Sequence, residues 1–152
     1  MADRPGATAL AAFDLGALAD EETVLIVSDT HGRLRPGVVP MAHEVDRVIH
    51  CGDIGRGVLE RLAESGRPID AVIGNNDDIV AMGLPPLPEV LRFTLGDAQV
   101  VVVHGHQCAS AARRHRWLRQ RFPEAALICY GHSHRRVFDQ DDVPWILNPG
   151  AC

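Results

Sequence analysis

With 152 residues, 46% of them hydrophobic, the chain suits one domain with an ordinary core. A net charge of −5 argues against bulk attraction to nucleic acid or an anionic membrane, and 5% aromatic residues offer no platform for stacking bases. No apolar run approaches the roughly 20 residues that span a bilayer, and the acidic start is unlike a signal peptide.

Residues 1–22 read as an appendage, with a short helix expected over Thr8–Ala19. Val24–Val27 is a continuous apolar run, the pattern of a strand buried on both faces, and it ends in Ser28-Asp29-Thr30-His31-Gly32. A helical turn is expected over Pro40–Glu44. A second strand, Val45–His50, ends in Cys51-Gly52-Asp53. Gly57–Ser65 has helical spacing, with Val58 and Leu62 on its apolar face. A third strand, Ile69–Ile73, ends in Gly74-Asn75-Asn76-Asp77. Three prolines make Gly83–Pro88 a loop. Val90–Leu95 and Gln99–Val103 flank Gly96-Asp97-Ala98, a hairpin signal, and the second of them leads into His104-Gly105-His106. Ser110–Arg121 is helical in composition. Ala126–Tyr130 is a strand ending in Gly131-His132-Ser133-His134, and Val137-Phe138 and Trp145–Leu147 are short late strands.

This order predicts an α/β fold with a mixed sheet or two packed sheets. Five strands each finish in a glycine-containing loop that carries Asp, Asn or His, and ligands of open α/β sheets bind beyond the carboxyl ends of strands. Asp29 and His31 stand two residues apart, as do His132 and His134, so in an extended segment each pair shares a face. Two carboxylates, one amide oxygen and four imidazoles, without thiolate, suit Mn²⁺ first, with Fe, Zn²⁺, Co²⁺ and Ni²⁺ also compatible. Seven ligands exceed what one such ion with an open position needs. They suit two ions that share a carboxylate and clamp an in-line displacement at phosphorus.

Asp29-x-His31, Gly52-Asp53, Gly74-Asn75-x-Asp77, His104 and Gly131-His132-x-His134, in this order, resemble the calcineurin-like metallophosphoesterase superfamily, above all its small prokaryotic YfcE-like phosphodiesterase branch. The resemblance runs from about Val24 to Gly150 and includes Leu87-Pro88-Glu89 and Asn148-Pro149-Gly150. It implies two packed mixed β-sheets flanked by helices, a four-layer sandwich over residues 23–152, with a dinuclear centre at one end. It also implies that Asp29, His31 and His134 hold one ion, that Asn75, His104 and His132 hold the other, and that Asp53 bridges them. A bridging water or hydroxide would attack a small phosphate ester. Asn76 stands where many members have a histidine that assists the leaving group, and His106 is the rival candidate for that work. Relatives usually continue past Asn148-Pro149-Gly150, which leaves two readings of the end at Cys152, a naturally short domain or a truncated one.

Three functional readings follow: a metal-dependent phosphodiesterase, a phosphomonoesterase, and a non-catalytic scaffold of the kind found in the retromer coat. The complete ligand set favours an enzyme. Outside the motifs, His43 and His50 read as surface or core residues, and His115 as part of a solvated Arg-rich helix. His106 and Arg56 stay open between phosphate contact and a structural role. Ser28 reads as a strand-end hydrogen bonder, and Trp117 and Trp145 as packing residues. Cys51, Cys108, Cys129 and Cys152 form no CxxC pair and read as free thiols of a reducing cytoplasm.

Overall fold

The computed structural model describes residues 2–3, 13–14 and 22–152. Its first sheet has the order β1-β2-β3-β4-β5, formed by Ala2–Asp3, Phe13–Asp14, Thr23–Val27, Arg47–His50 and Ile69–Ala71. β3, β4 and β5 run parallel, while β1 and β2 are antiparallel additions at the β3 edge. The second sheet has the order β6-β7-β8-β10-β9, formed by Val90–Leu95, Ala98–Val103, Leu127–Cys129, Arg136–Asp139 (β9) and Trp145–Pro149 (β10). β7, β8 and β10 are parallel; β6 and β9 close the two edges antiparallel.

The apolar runs have a simple explanation in packing. In β3, Val24 and Ile26 face the second sheet, where they meet Val100, Val102, Leu127 and Leu147. Leu25 and Val27 face the other way, onto Val38 and Ala42 of α1 (Val38–Ala42) and Val58 and Leu62 of α2 (Val58–Ala63). In β7, Val101 and Val103 likewise turn outward onto Leu118 of α4 (Arg114–Arg121) and onto Phe122. The result is four layers: helices, sheet, sheet, helix. Both inner strands are covered on both faces, so alternation of polar and apolar residues never appears in them.

Several boundaries differ from the sequence expectation. Of Thr8–Ala19, only Phe13–Asp14 lies among the described residues, and it is strand, paired with Val24 and Thr23 of β3, rather than helix. The first helix starts earlier than Pro40, at Val38 after Gly37. β4 begins only at Arg47, because the Asp46 carboxylate turns back to accept the Thr23 N–H at 2.8 Å. A four-residue helix, α3 (Ile79–Met82), was not anticipated; the Asp78 side chain caps it by accepting the Ala81 N–H at 3.0 Å. A 3₁₀ turn, Ala111–Arg113, precedes α4. Among the described residues, no helix is long and apolar enough to cross a membrane.

Candidate metal centre

The parallel strands β3, β4, β5, β7 and β8 bring the carboxyl ends of both sheets to one rim, and all seven candidate ligands lie there. Backbone hydrogen bonds tie the loops to one another: Asp29 N–H to the Gly52 carbonyl, His31 N–H to that of Asp53, and Gly131 N–H to that of His104, each at 3.0 Å. Glycine is required where two loops touch. A side chain at Gly131 would overlap Ser28 and Asp29, and one at Gly74 would overlap the backbone and carboxylate of Asp53.

Asp29, His31 and His134 form one group of ligand atoms, and Asp29, Asp53 and His104 form another. The Asp53 Oδ2 lies 3.3 Å from the His104 Nε2 and 3.8 Å from the His31 Nε2, so it sits between the two ends of the site. At the far end the His132 Nδ1 is 3.2 Å from the Asn75 Oδ1, and the His132 and His104 rings meet edge-on with centroids 5.3 Å apart.

The pairing of ligands two residues apart does not arise from extended backbone, as the spacing suggested. Asp29 (φ 54°), His31 (φ 47°), Asp53 (φ 56°), His132 (φ 68°) and His134 (φ 61°) all occupy the left-handed region. Such residues cost on the order of 1–3 kcal/mol each and persist where the surroundings over-determine them, commonly at functional sites. Asp and His tolerate this region better than most residue types.

Those surroundings are specific. The Ser28 hydroxyl donates to the Asp29 Oδ2 at 2.6 Å, and the His132 N–H donates to the same oxygen at 3.0 Å. The His104 Nδ1 donates to the Cys51 carbonyl at 2.7 Å, which leaves its Nε2 lone pair facing the site. Burial alone would lift the Asp53 carboxyl, but the adjoining His104 ring and hydrogen bonds from the main chain and side chain of Asn76 outweigh it and hold the group below its usual range. Burial opposes the charged form of His104 too, yet Asp53 and the Cys51 carbonyl raise it overall. Burial lowers His132, helped by His104 and Arg114.

Two atoms show that the residues fit a cation. The Asp29 Oδ1 and His104 Nε2 are buried without a hydrogen-bond partner among the described residues, and they face each other at 3.8 Å. An unsatisfied buried polar atom costs about 1–3 kcal/mol. A single cation between a carboxylate oxygen and an imidazole lone pair satisfies both.

The two candidate catalytic residues stand on opposite sides. The Asn76 amide donates to the Asp53 Oδ2 at 2.9 Å and its main-chain N–H to the Oδ1 at 2.9 Å, so it braces Asp53. It also lines a cavity of about 400 Å³ with His31, Arg56 and Met82. His106 is half-buried, its ring 5.4 Å from that of His104 and 6.3 Å from that of His132, with its Nδ1 unpartnered. Arg56 donates to the Ala81 carbonyl at the edge of the same cavity as Asn76.

Sequence reasoning missed the residues that organise the loops. The Asp77 carboxylate accepts the N–H groups of Asp53, Ile54, Gly55 and Gly74 at 2.8–3.3 Å, fastening the β4 and β5 loops together. Its place in Gly74-Asn75-x-Asp77 was a usable signal. Arg114 is buried and donates to the carbonyls of Gly105 and Cys108 at 3.0 and 2.9 Å, which shapes the loop carrying His104 and His106. His115 is not a solvated helix residue: it is half-buried between Asp139 and Tyr130, at 2.7 and 2.8 Å. His50 is a core residue, accepting the Gly52 N–H at 3.1 Å, and His43 is exposed. All four cysteines are free and buried.

The chain is 29% identical over 146 residues to a phosphodiesterase of Methanocaldococcus jannaschii, covering 84% of this chain and 82% of that one. Its structure is similar to that of YfcE, a phosphoesterase from E. coli, with a TM-score of 0.58 at 21% identity over 84% of this chain and 79% of that one. It is also similar to Vps29 of Entamoeba histolytica complexed with zinc, with a TM-score of 0.70 at 21% identity over 84% and 73% of the two chains. The family model described as the calcineurin-like phosphoesterase superfamily domain matches residues 23–152, from the first strand that carries a ligand loop to the last residue, and the chain belongs to that family.

Proposed function

We propose that the protein is a metal-dependent phosphodiesterase with a dinuclear centre, Mn²⁺ being the favoured ion. The observation that carries this reading is the pair of orphaned buried atoms, Asp29 Oδ1 and His104 Nε2, inside a seven-residue ligand set. Asp29, His31 and His134 would hold one ion, Asn75, His104 and His132 the other, and Asp53 would be shared. Bound there, two divalent ions would polarise the phosphoryl oxygens and neutralise charge that develops on them.

The chain's own residues do the rest. Ser28 and the His132 N–H fix the Asp29 carboxylate, and Asn76 and the Asp77-braced loop fix Asp53. The cavity beside His31, with Arg56 on its wall, offers room and a cation for a small phosphate ester. His106, half-buried beside the His104 and His132 rings, would assist the leaving group. The free, buried thiols fit a reducing cytoplasm.

The likeness to Vps29 favours a second reading, a non-catalytic scaffold. One experiment separates the readings. The Mn²⁺-loaded protein is expected to carry close to two ions per chain and to hydrolyse bis(p-nitrophenyl) phosphate faster than p-nitrophenyl phosphate, with activity lost on chelation and restored on reloading. Hydrolysis of neither ester at full metal loading would favour the scaffold, and a faster monoester would make the enzyme a phosphomonoesterase.

A further inference from the structure

The loop Gly131–His134 carries two candidate ligands in left-handed conformation, and His134 is half exposed. Something must hold it. On its inner side, Asn148 of β10 donates to the Gly131 carbonyl at 2.9 Å and to the Ser133 Oγ at 3.0 Å, and its own carbonyl is fixed by the Gly150 N–H at 2.9 Å. Ser133 stands between His132 and His134. Tyr130, the residue that leads into Gly131, is buried behind the loop. The Tyr130 hydroxyl in turn lies 2.8 Å from the His115 Nε2, and the His115 Nδ1 lies 2.7 Å from the Asp139 Oδ2. Arg119 pairs with the other Asp139 oxygen at 3.1 Å and donates to the Pro144 carbonyl at 2.9 Å.

The donors can be followed in one direction. An ionised Asp139 only accepts, so the His115 Nδ1 donates to it and the Nε2 lone pair is left as acceptor. The Tyr130 O–H must then point at His115. One run of hydrogen bonds therefore connects the carboxylate on β9, through α4, to Tyr130, the residue that leads into Gly131. Each tautomer and rotor along it is determined by its neighbours.

α4 accordingly has three faces. Arg114 and Leu118 point inward, His115 and Arg119 meet Asp139, and Arg116 and Gln120 face solvent. The basic run conceals one histidine with a task different from that of its arginine neighbours.

We propose that Asp139, His115 and Tyr130 are positioning residues of the metal centre, which fix the residue leading into Gly131 and so, with Asn148 on Gly131 and Ser133, set the His132–His134 loop. This rests on the reading of His132 and His134 as ligands. Outer partners of metal-binding histidines typically contribute about 10–100-fold in affinity.

The test is calorimetric titration of the metal-free full chain with Mn²⁺. Tyr130→Phe, which removes only the hydroxyl, and His115→Ala are expected to weaken binding about tenfold. His115→Gln, whose carbonyl can accept the Tyr130 O–H, is expected to recover most of the loss. Leu118→Val trims the same helix away from the run and is expected to lower the melting temperature without changing Mn²⁺ affinity. Wild-type affinity in both Tyr130→Phe and His115→Ala, or an equal loss in Leu118→Val, would overturn the proposal. Should Tyr130→Phe not fold, the partly exposed His115 position decides the matter through His115→Ala and its rescue. A wild-type chain that takes up no Mn²⁺ overturns the proposed function and this inference together; wild-type uptake with unaffected variants overturns this inference alone.

Discussion

The centre has a buried floor and an open rim, and the two are built differently. Asp29, Asp53 and His104 form the floor, 3%, 2% and 0% exposed. The His31 and His134 side chains on the rim are 42% and 49% exposed, and Asn75 is exposed as well. Each floor residue is held by a hydrogen bond to another loop: the His132 N–H donates to Asp29, the Asn76 amide donates to Asp53, and the His104 Nδ1 donates to the Cys51 carbonyl. On the rim, the His31 and His134 Nε2 atoms lie 3.4 Å apart, and they approach floor carboxylates at 3.8 Å (Asp53) and 3.4 Å (Asp29) respectively. Charge that is hard to bury is thus fixed in advance, while the rim stays open.

The comparison is sharpest when one residue is removed from each part. Mn²⁺ at about 100 times its dissociation constant should stabilise the wild-type chain by about 2.7 kcal/mol, read as a rise in melting temperature. Asp53→Ala should abolish that rise, because both ends of the site lose a ligand atom. His134→Ala should keep a part of it, since the second group of ligands is intact. If the two variants respond to Mn²⁺ alike, the division into floor and rim is wrong.

Beneath the floor, His50 gives the buried region a pH signature. Burial, reinforced by the neighbouring His104, lowers its pKa to about 3. The folded protein therefore keeps His50 neutral, while the unfolded chain protonates near the ordinary value of about 6.5. Below that value the unfolded state binds more protons, so the contribution is complete above pH 6.5 and is lost as the pH falls toward 3. Chemical denaturation of the metal-free chain should show about 2 kcal/mol less stability at pH 5 than at pH 7 from this residue. His50→Gln should flatten that part of the slope; an unchanged slope would mean that the acid sensitivity resides elsewhere.

How much of this was legible follows from what each part rests on. The strands β3 and β7 were readable because both of their faces are covered, which forces unbroken apolar runs. The candidate ligand loops were readable because five strand ends each repeat a glycine beside Asp, Asn or His. The short α3 was not, since four residues held by the Asp78 cap and Gly83 carry no periodicity. Nor was the left-handed backbone at Asp29 and His132: a spacing of two suits extended chain equally well, and only the partner loop decides. His115 was misread for a related reason. A run of arginines looks alike all round a helix until Asp139, 24 residues away, selects one side.

The smallest expected effect concerns Asn76, which lies where floor and rim meet. Were its amide aimed at a substrate, it would affect the departure of the leaving group. In the structure its main-chain N–H and one side-chain N–H are given to Asp53, each at 2.9 Å. Asn76→Ala therefore removes one hydrogen bond to a carboxylate and leaves the main-chain one. A hydrogen bond is worth about 1 kcal/mol net, or roughly a fivefold change in an equilibrium. Metal affinity should fall by about that factor, and kcat/KM at subsaturating metal should fall with it. Because the amide acts through Asp53, the loss should be the same for aryl and alkyl diesters, and saturating Mn²⁺ should restore both. Asn76→Asp adds a negative charge beside Asp53 while removing the donor, so it should not restore the amide's function. The decisive measurement is the aryl-to-alkyl ratio of kcat/KM at saturating Mn²⁺ in wild type and Asn76→Ala. A selective loss of the alkyl class would put the Asn76 amide on the leaving group, move it from the floor to the rim, and remove His106 as the sole candidate for that work.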